Sequence, residues 1–251
     1  MSGGTNEPRY PQKVSHMVTQ IPDEEFIENV TIPDLFSSKS NVFHRLAKFF
    51  KENTNMGQKA RVLLEVNSIL NNGQLTPDLL NDIIEKLLSV VPDRENEPCL
   101  MRRVSIIRDN FSIVYNAGYS SIVDEFKDSL LSSLSYLAEG MLNNVVKTLH
   151  DYFHNEFARI VDQDIENGTA RSIEIYAKYL KLLRQFVEGK EVSVDKLSEA
   201  LKVIGVESPN EIAELLMTFR PKLVIEFMGN RLRDMHGYLG ILIRELGYDI
   251  C

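Results

Sequence analysis

From Val42 onwards, apolar residues recur three and four positions apart, the interval at which side chains share one face of an α-helix. Val42, Phe43, Leu46, Phe49 and Phe50 form the first stripe, with Ser40 placed to cap it. Val62, Leu63, Val66, Ile69 and Leu70 form a second over 58–71, and Gly73 follows where a left-handed C-terminal cap belongs. Thr76-Pro77 opens a third helix, because a threonine oxygen accepts from an orphan N–H and proline lacks the one that would go unsatisfied. That helix carries two adjacent rows, Leu79, Ile83, Leu87, Val91 and Leu80, Ile84, Leu88, which predicts burial on more than one side.

The polar run PDRENEP at 92–98 breaks the pattern and is the candidate subdomain boundary. Leu100, Val104, Ile107, Phe111 and Val114 predict the next helix, ended by Gly118. Two runs follow, Ile122 to Leu137 and Leu142 to Ile160, with Gly140 between them, where a kink or break is expected because glycine weakens a helix interior. Thr169 is placed to cap a helix through Ile173, Tyr176, Leu180, Leu183 and Val187, and Ser193 opens a shorter one ended by Gly205. Ser208-Pro209-Asn210-Glu211 has the form of a capping box with proline at the first helical position, and Arg220-Pro221 stops that helix. The remainder, 221–251, predicts one or two helices ending near Gly247.

No segment alternates in polarity as a strand would, so the fold class expected is all-α: a multi-helix bundle of roughly eight to ten helices over 37–251. Residues 1–36 stand apart as an extended N-terminal arm. The first twenty are Gly-, Pro- and polar-rich, whereas 21–36 hold Phe26, Ile27, Leu35 and Phe36 as apolar anchors for docking.

Composition narrows the class of protein. A chain of 251 residues with 43% hydrophobic content buries a core without disulfides, and its two cysteines, Cys99 and Cys251, form no framework or zinc pattern, so a reducing, cytoplasmic setting is expected. The opening residues carry no apolar signal core, and no run reaches the length of a membrane span. A net charge of -8 argues against a surface dominated by phosphate contacts.

Motifs of catalysis are absent: there is no phosphate-binding loop before a lysine, no nucleophile elbow, no paired CxxC and no dinucleotide fingerprint. A non-enzyme without cofactor or metal is therefore expected. His150 and His154, four apart in HDYFHNE, share a helix face with Glu156 nearby, the minimum for a divalent metal and the basis of a distant reading as a helical hydrolase. Asp151 stands where the protease motif needs glutamate, and no third ligand has motif spacing, so these are expected to be boundary histidines. GKEVSVDKLSEALKVIGVESPNEIAELL at 189–216 resembles the second half of an EF-hand loop, its exit helix and the entering helix of the next hand. Lys190, Val192 and Lys196 occupy the loop where calcium needs oxygen ligands, so a plain helix pair is expected.

Charge is distributed unevenly. Residues 21–36 hold five acidic side chains (Asp23, Glu24, Glu25, Glu28, Asp34) and no Lys or Arg. Immediately after come six basic ones, Lys39, Arg45, Lys48, Lys51, Lys59 and Arg61, against the single acidic Glu52. Arg102, Arg103 and Arg108, and Arg231 with Arg233, are further basic groups. The leading expectation is an assembly or adaptor protein whose acidic, apolar-anchored arm docks on its own basic surface or on another copy, giving a homo-oligomer or a complex with a protein partner. The second reading is a nucleic-acid-binding helical protein, nucleoprotein-like or polymerase-regulating, that uses 39–61 and sets Phe43, Phe49 and Phe50 among the cations as stacking rings.

Overall fold

A computed structural model of the chain describes residues 42–220 and 228–233. Among them lie nine helices and no strand. They are α1 (Val42–Lys51), α2 (Met56–Asn71), α3 (Pro77–Leu88) and α4 (Pro98–Asn116). The long α5 runs as Ser120–Asp151, a π-turn at Tyr152–Phe157, and Ala158–Asn167. α6 is likewise Arg171–Ile175, a π-turn at Tyr176–Leu180, and Lys181–Val187. α7 (Val194–Val203), α8 (Pro209–Phe219) and α9 (228–233) complete the set. The arm, Ser40 and most of 221–251, with the helices expected there, lie outside the described residues.

α5 is the axis. Leu130, Leu134, Leu137, Met141, Leu142, Val145 and Leu149 are buried along its first part, and α1, α2, α4 and α8 pack against it. α3 bridges α2 and α4, while α6 and α7 lead from the far end of α5 back to α8, which lies on α2. One cluster of buried apolar residues draws on every helix, from Val42 to Leu232. Each large residue such as Phe50, Phe111 or Phe186 contributes roughly 1.5–3 kcal/mol by leaving water.

Local signals hold where their partners are local. Thr76 Oγ1 accepts from the Leu79 N–H at 3.3 Å, and Ser193 Oγ from Lys196 at 3.4 Å. Gly205, at φ 84°, ends α7 in the left-handed region that glycine alone enters without steric cost. Gly73 does not act as a left-handed cap. Asn72 ends α2 by donating its backbone N–H to Ile69, and the Gly73 carbonyl accepts from Lys127 Nζ on α5 at 2.8 Å.

Three further expectations need correction, each because a residue of another helix intervenes. Gly140 neither kinks nor breaks α5: it lies buried within continuous helix, and a Cβ there would meet the Lys51 Cγ and Cε of α1 at 3.2 and 3.3 Å. Close approach of α1 is what the glycine provides, and the irregularity falls instead at the π-turn beginning at Tyr152. Ser208 starts α8 on time but forms no capping box. Its backbone is left-handed, its side chain is pressed against Gly57 of α2, and Glu211 pairs with Arg61 Nε at 3.4 Å instead of reaching back.

Thr169, finally, is not the cap of α6. That role falls to Asp164, 1% exposed near the end of α5. Its carboxylate accepts from the backbone N–H groups of Arg171 at 3.1 Å and Ser172 at 2.6 Å, and from the hydroxyls of Thr169 and Ser172. Burial opposes its ionisation, but the Ser172 hydroxyl, Thr169 and the two N–H groups outweigh that and hold the pKa below the ordinary 3.8. The carboxylate thus staples α5 to α6.

Asp164→Ala strands two backbone donors at a buried helix start and should lower unfolding free energy by roughly 3 kcal/mol in a denaturant titration. Because the folded pKa is depressed, wild-type stabilisation from this group is complete above 3.8 and is lost as pH falls through the lower folded value, a loss that Asp164→Asn should not show. In thermal melts Gly140→Ala should match or exceed wild type by up to about 1 kcal/mol, since the Lys51 side chain can move aside. Gly57→Ala, whose Cβ would stand 2.8 Å from Ser208 Cβ, should cost roughly 1–3 kcal/mol.

Candidate interaction surface

The amphipathic pattern of α1 sorts its residues without remainder. Val42, Phe43, Leu46, Ala47, Phe49 and Phe50 are buried, which leaves the basic side chains to the other face. Phe43, Phe49 and Phe50 are 9%, 5% and 0% exposed, so the rings that could have stacked on bases are core residues. Lys48 reaches over the edge of that core, its Nζ 5.1 Å from the Phe49 ring centroid and 3.7 Å from Glu97 at the entrance to α4. Lys51 lays its stem along Gly140 and places Nζ 5.9 Å from the Tyr136 ring of α5. Arg45, half-buried, precedes Leu46 on the same helix.

The C-terminus of α1 explains the position of a fourth cation. A helix leaves its last carbonyls without intrahelical partners. Asn144 Nδ2 of α5 donates to the Lys51 carbonyl at 3.0 Å, and Lys59 Nζ of α2 donates to the Glu52 carbonyl at 2.8 Å. Lys59 is 2% exposed, so it leaves the set of surface contacts: its charge is spent on capping α1 from within. Burial pushes its pKa below the ordinary 10.5, with the Glu52 charge acting in the opposite direction. The signal for this was present in the sequence. Lys59 falls three residues after Met56 and four before Leu63, inside the buried stripe of α2.

The other basic residues divide among separate faces. Arg61 sits on α2 against Glu211 of α8, exposed but paired. Arg102 is exposed and Arg103 half-buried in the second turn of α4, the helix whose entrance holds Glu97 and so faces Lys48. Arg108, deeper along α4, is committed to Glu85 at 2.6 Å, and Glu85 also accepts from Arg94 at 3.0 Å. Hydrogen bonding from Arg108 and then Arg94 depresses the Glu85 pKa. α1 and α4 are in contact, α1 carrying Arg45, Lys48 and Lys51 and the second turn of α4 carrying Arg102 and Arg103. Lys39 and the arm anchors Phe26, Ile27, Leu35 and Phe36 lie outside the described residues.

The His150 and His154 rings lie 4.4 Å apart between centroids, tilted by 46°, on the outer side of the helix at the π-turn, while Leu149, Phe153 and Phe157 face the core. Nδ1 of His150 lies 3.4 Å from Asp151 Oδ1, and Glu156 is held by Arg159 at 2.6 Å. Among the described residues no group of three or more His, Cys, Asp or Glu side chains is placed to hold a metal ion, and no helix is long and apolar enough to cross a membrane. α7 and α8 pack together as a helix pair, and the preceding loop presents Lys190 to Glu188 at 3.0 Å. Comparison with protein families, curated proteins and solved structures finds no match to this chain.

Lys59→Met should leave any charge-dependent binding intact and change stability at neutral pH by no more than about 1 kcal/mol, the lost cap being offset by relief from burying a charge. With a folded pKa below 10.5, the ammonium binds fewer protons folded than unfolded as pH approaches that value. Wild-type stability should accordingly gain as pH rises toward 10.5, and denaturant titrations of Lys59→Met should lack that gain.

Proposed function

We propose that this chain is a non-catalytic interaction protein that assembles with copies of itself, its acidic N-terminal arm docking on the basic face made by α1 and the entrance of α4. The observation that carries this reading is the division of labour on α1. The helix sends its three phenylalanines into the core and keeps Lys48 and Lys51 outside, beside Arg45. A face with charge but without exposed rings suits an acidic peptide better than single-stranded nucleic acid, where base stacking supplies much of the affinity. Residues 21–36, with five carboxylates and the apolar anchors Phe26, Ile27, Leu35 and Phe36, have that acidic and anchored character, and opposite charge fixes register when two segments meet. Phe26, sixteen residues before Val42, commands a reach of about 50 Å, enough to cross to a second copy.

Size-exclusion chromatography with light scattering at low and high salt tests the reading. The intact chain should run as an oligomer, deletion of 1–36 or the triple change Arg45→Glu, Lys48→Glu, Lys51→Glu should give a monomer, and high salt should weaken the wild-type assembly. An intact chain that stays monomeric, or a deletion that stays oligomeric, overturns it. The chain has no Trp, so bound nucleic acid would stand out at 260 nm. A ratio of 260 to 280 nm absorbance that is raised at low salt and collapses at high salt would instead assign the basic face to a phosphate backbone.

A further inference from the structure

His150 and His154 take no part in the docking face, yet each ring is held by a neighbour. Nδ1 of His150 lies 3.4 Å from Asp151 Oδ1, and the tautomer that donates to this carboxylate leaves the lone pair on Nε2. The His154 ring meets the Phe153 ring edge-on, 5.1 Å away at 72°, and Phe153 is fixed in the core. Between centroids the imidazoles stand 4.4 Å apart, and their planes, inclined at 46°, converge on one side. His154 is exposed and His150 half-buried, so a solute can reach the pair.

We propose that His150 and His154 form a two-point chelate for a divalent ion of the zinc and nickel class, with water in the remaining positions. A zinc ion sits about 2.0–2.1 Å from an imidazole nitrogen, so two such nitrogens at the tetrahedral angle stand roughly 3.3 Å apart. Rings 4.4 Å apart need only a small rotation to bring one nitrogen of each to that separation. Ligand chemistry selects the ion: imidazole suits zinc, nickel and copper, whereas calcium and magnesium take oxygen ligands. Asp151 supplies the carboxylate that orients a ligating histidine, and acts here as a positioning residue. Glu156, the other nearby carboxylate, is held by Arg159 at 2.6 Å. Among the described residues no third His, Cys, Asp or Glu completes a set, so water takes the open positions. An ion held there ties the last turn of Ser120–Asp151 to the π-turn at Tyr152–Phe157 and stiffens α5 at its irregular point. The site does not depend on how the arm docks.

Calorimetric titration of zinc chloride, and separately nickel chloride, into the full-length chain stripped of metal tests the site. Wild type should show one site per chain that weakens at least tenfold in His150→Gln and in His154→Gln, and that is unchanged in His44→Gln, whose imidazole is exposed on α1. Asp151→Ala should weaken the same site several-fold without changing its stoichiometry. A tenfold excess of calcium should leave the zinc isotherm as it was. Circular dichroism checks that each variant keeps its helicity. Should the glutamine variants disturb the turn, imidazole NMR of the wild-type chain decides: zinc should shift the His150 and His154 resonances together and leave those of His44 in place. Absence of binding overturns the chelate, as does an affinity indifferent to either histidine or equally sensitive to His44. One ion for two chains, with the mass of a dimer, would assign the pair to a joint site between copies and overturn the single-chain chelate.

Discussion

Burial of α5 along its first thirty residues is the constraint on which the rest of the structure depends. A helix apolar on so broad a face cannot rest on one neighbour, and α1, α2, α4 and α8 all pack on it. Close packing then dictates details that look incidental in the sequence. Gly140 lies where the Lys51 stem crosses α5, and Asn144, one turn later, meets the carbonyl that α1 exposes at its end. Lys59 arrives from α2 to satisfy the next carbonyl. Two side chains from two helices, Asn144 and Lys59, thus hold the carbonyls where α1 stops. The orientation of Lys48 and Arg45 is a consequence of that packing, and the proposed docking face with it.

The same logic governs the far end. Asp164 supplies at the α5–α6 corner what no residue of α6 can, a buried anion facing the positive end of a helix. Both long helices pass through π-turns, at Tyr152–Phe157 and Tyr176–Leu180, each of which shifts the buried stripe by a fraction of a turn. In the first the shift leaves Phe153 and Phe157 inside and His150 with His154 together outside.

What could be read in advance follows from range. Thr76-Pro77, Ser193 and the stop at Arg220-Pro221 act within four residues, and the structure places those boundaries where the sequence does. The stripe Val42, Phe43, Leu46, Phe49, Phe50 is likewise a property of one helix, so its burial was legible. Ser208 and Gly140 misled because the outcome at each depends on a residue far away in the chain, Gly57 and Lys51, and Thr169 because Asp164, at the end of the preceding helix, takes the capping role. Among the described residues Lys59 carried a visible sign of its burial, its place in the α2 stripe. The basic cluster was readable as composition, but the pairing of Arg61 with Glu211 and of Arg108 with Glu85 required the packing of α2 on α8 and of α3 on α4.

The account turns on contact between the arm and the outer face of α1, and zero-length cross-linking of carboxylates to amines in the full-length chain tests it most directly. In an equal mixture of heavy-nitrogen-labelled and unlabelled protein, Asp23, Glu24, Glu25, Glu28 and Asp34 should join Lys48 and Lys51, and Lys59, buried, should join none of them. Links from 23–28 should include pairs of mixed isotope. Arm carboxylates that fail to reach α1, or that reach lysines across the whole surface alike, would contradict the account.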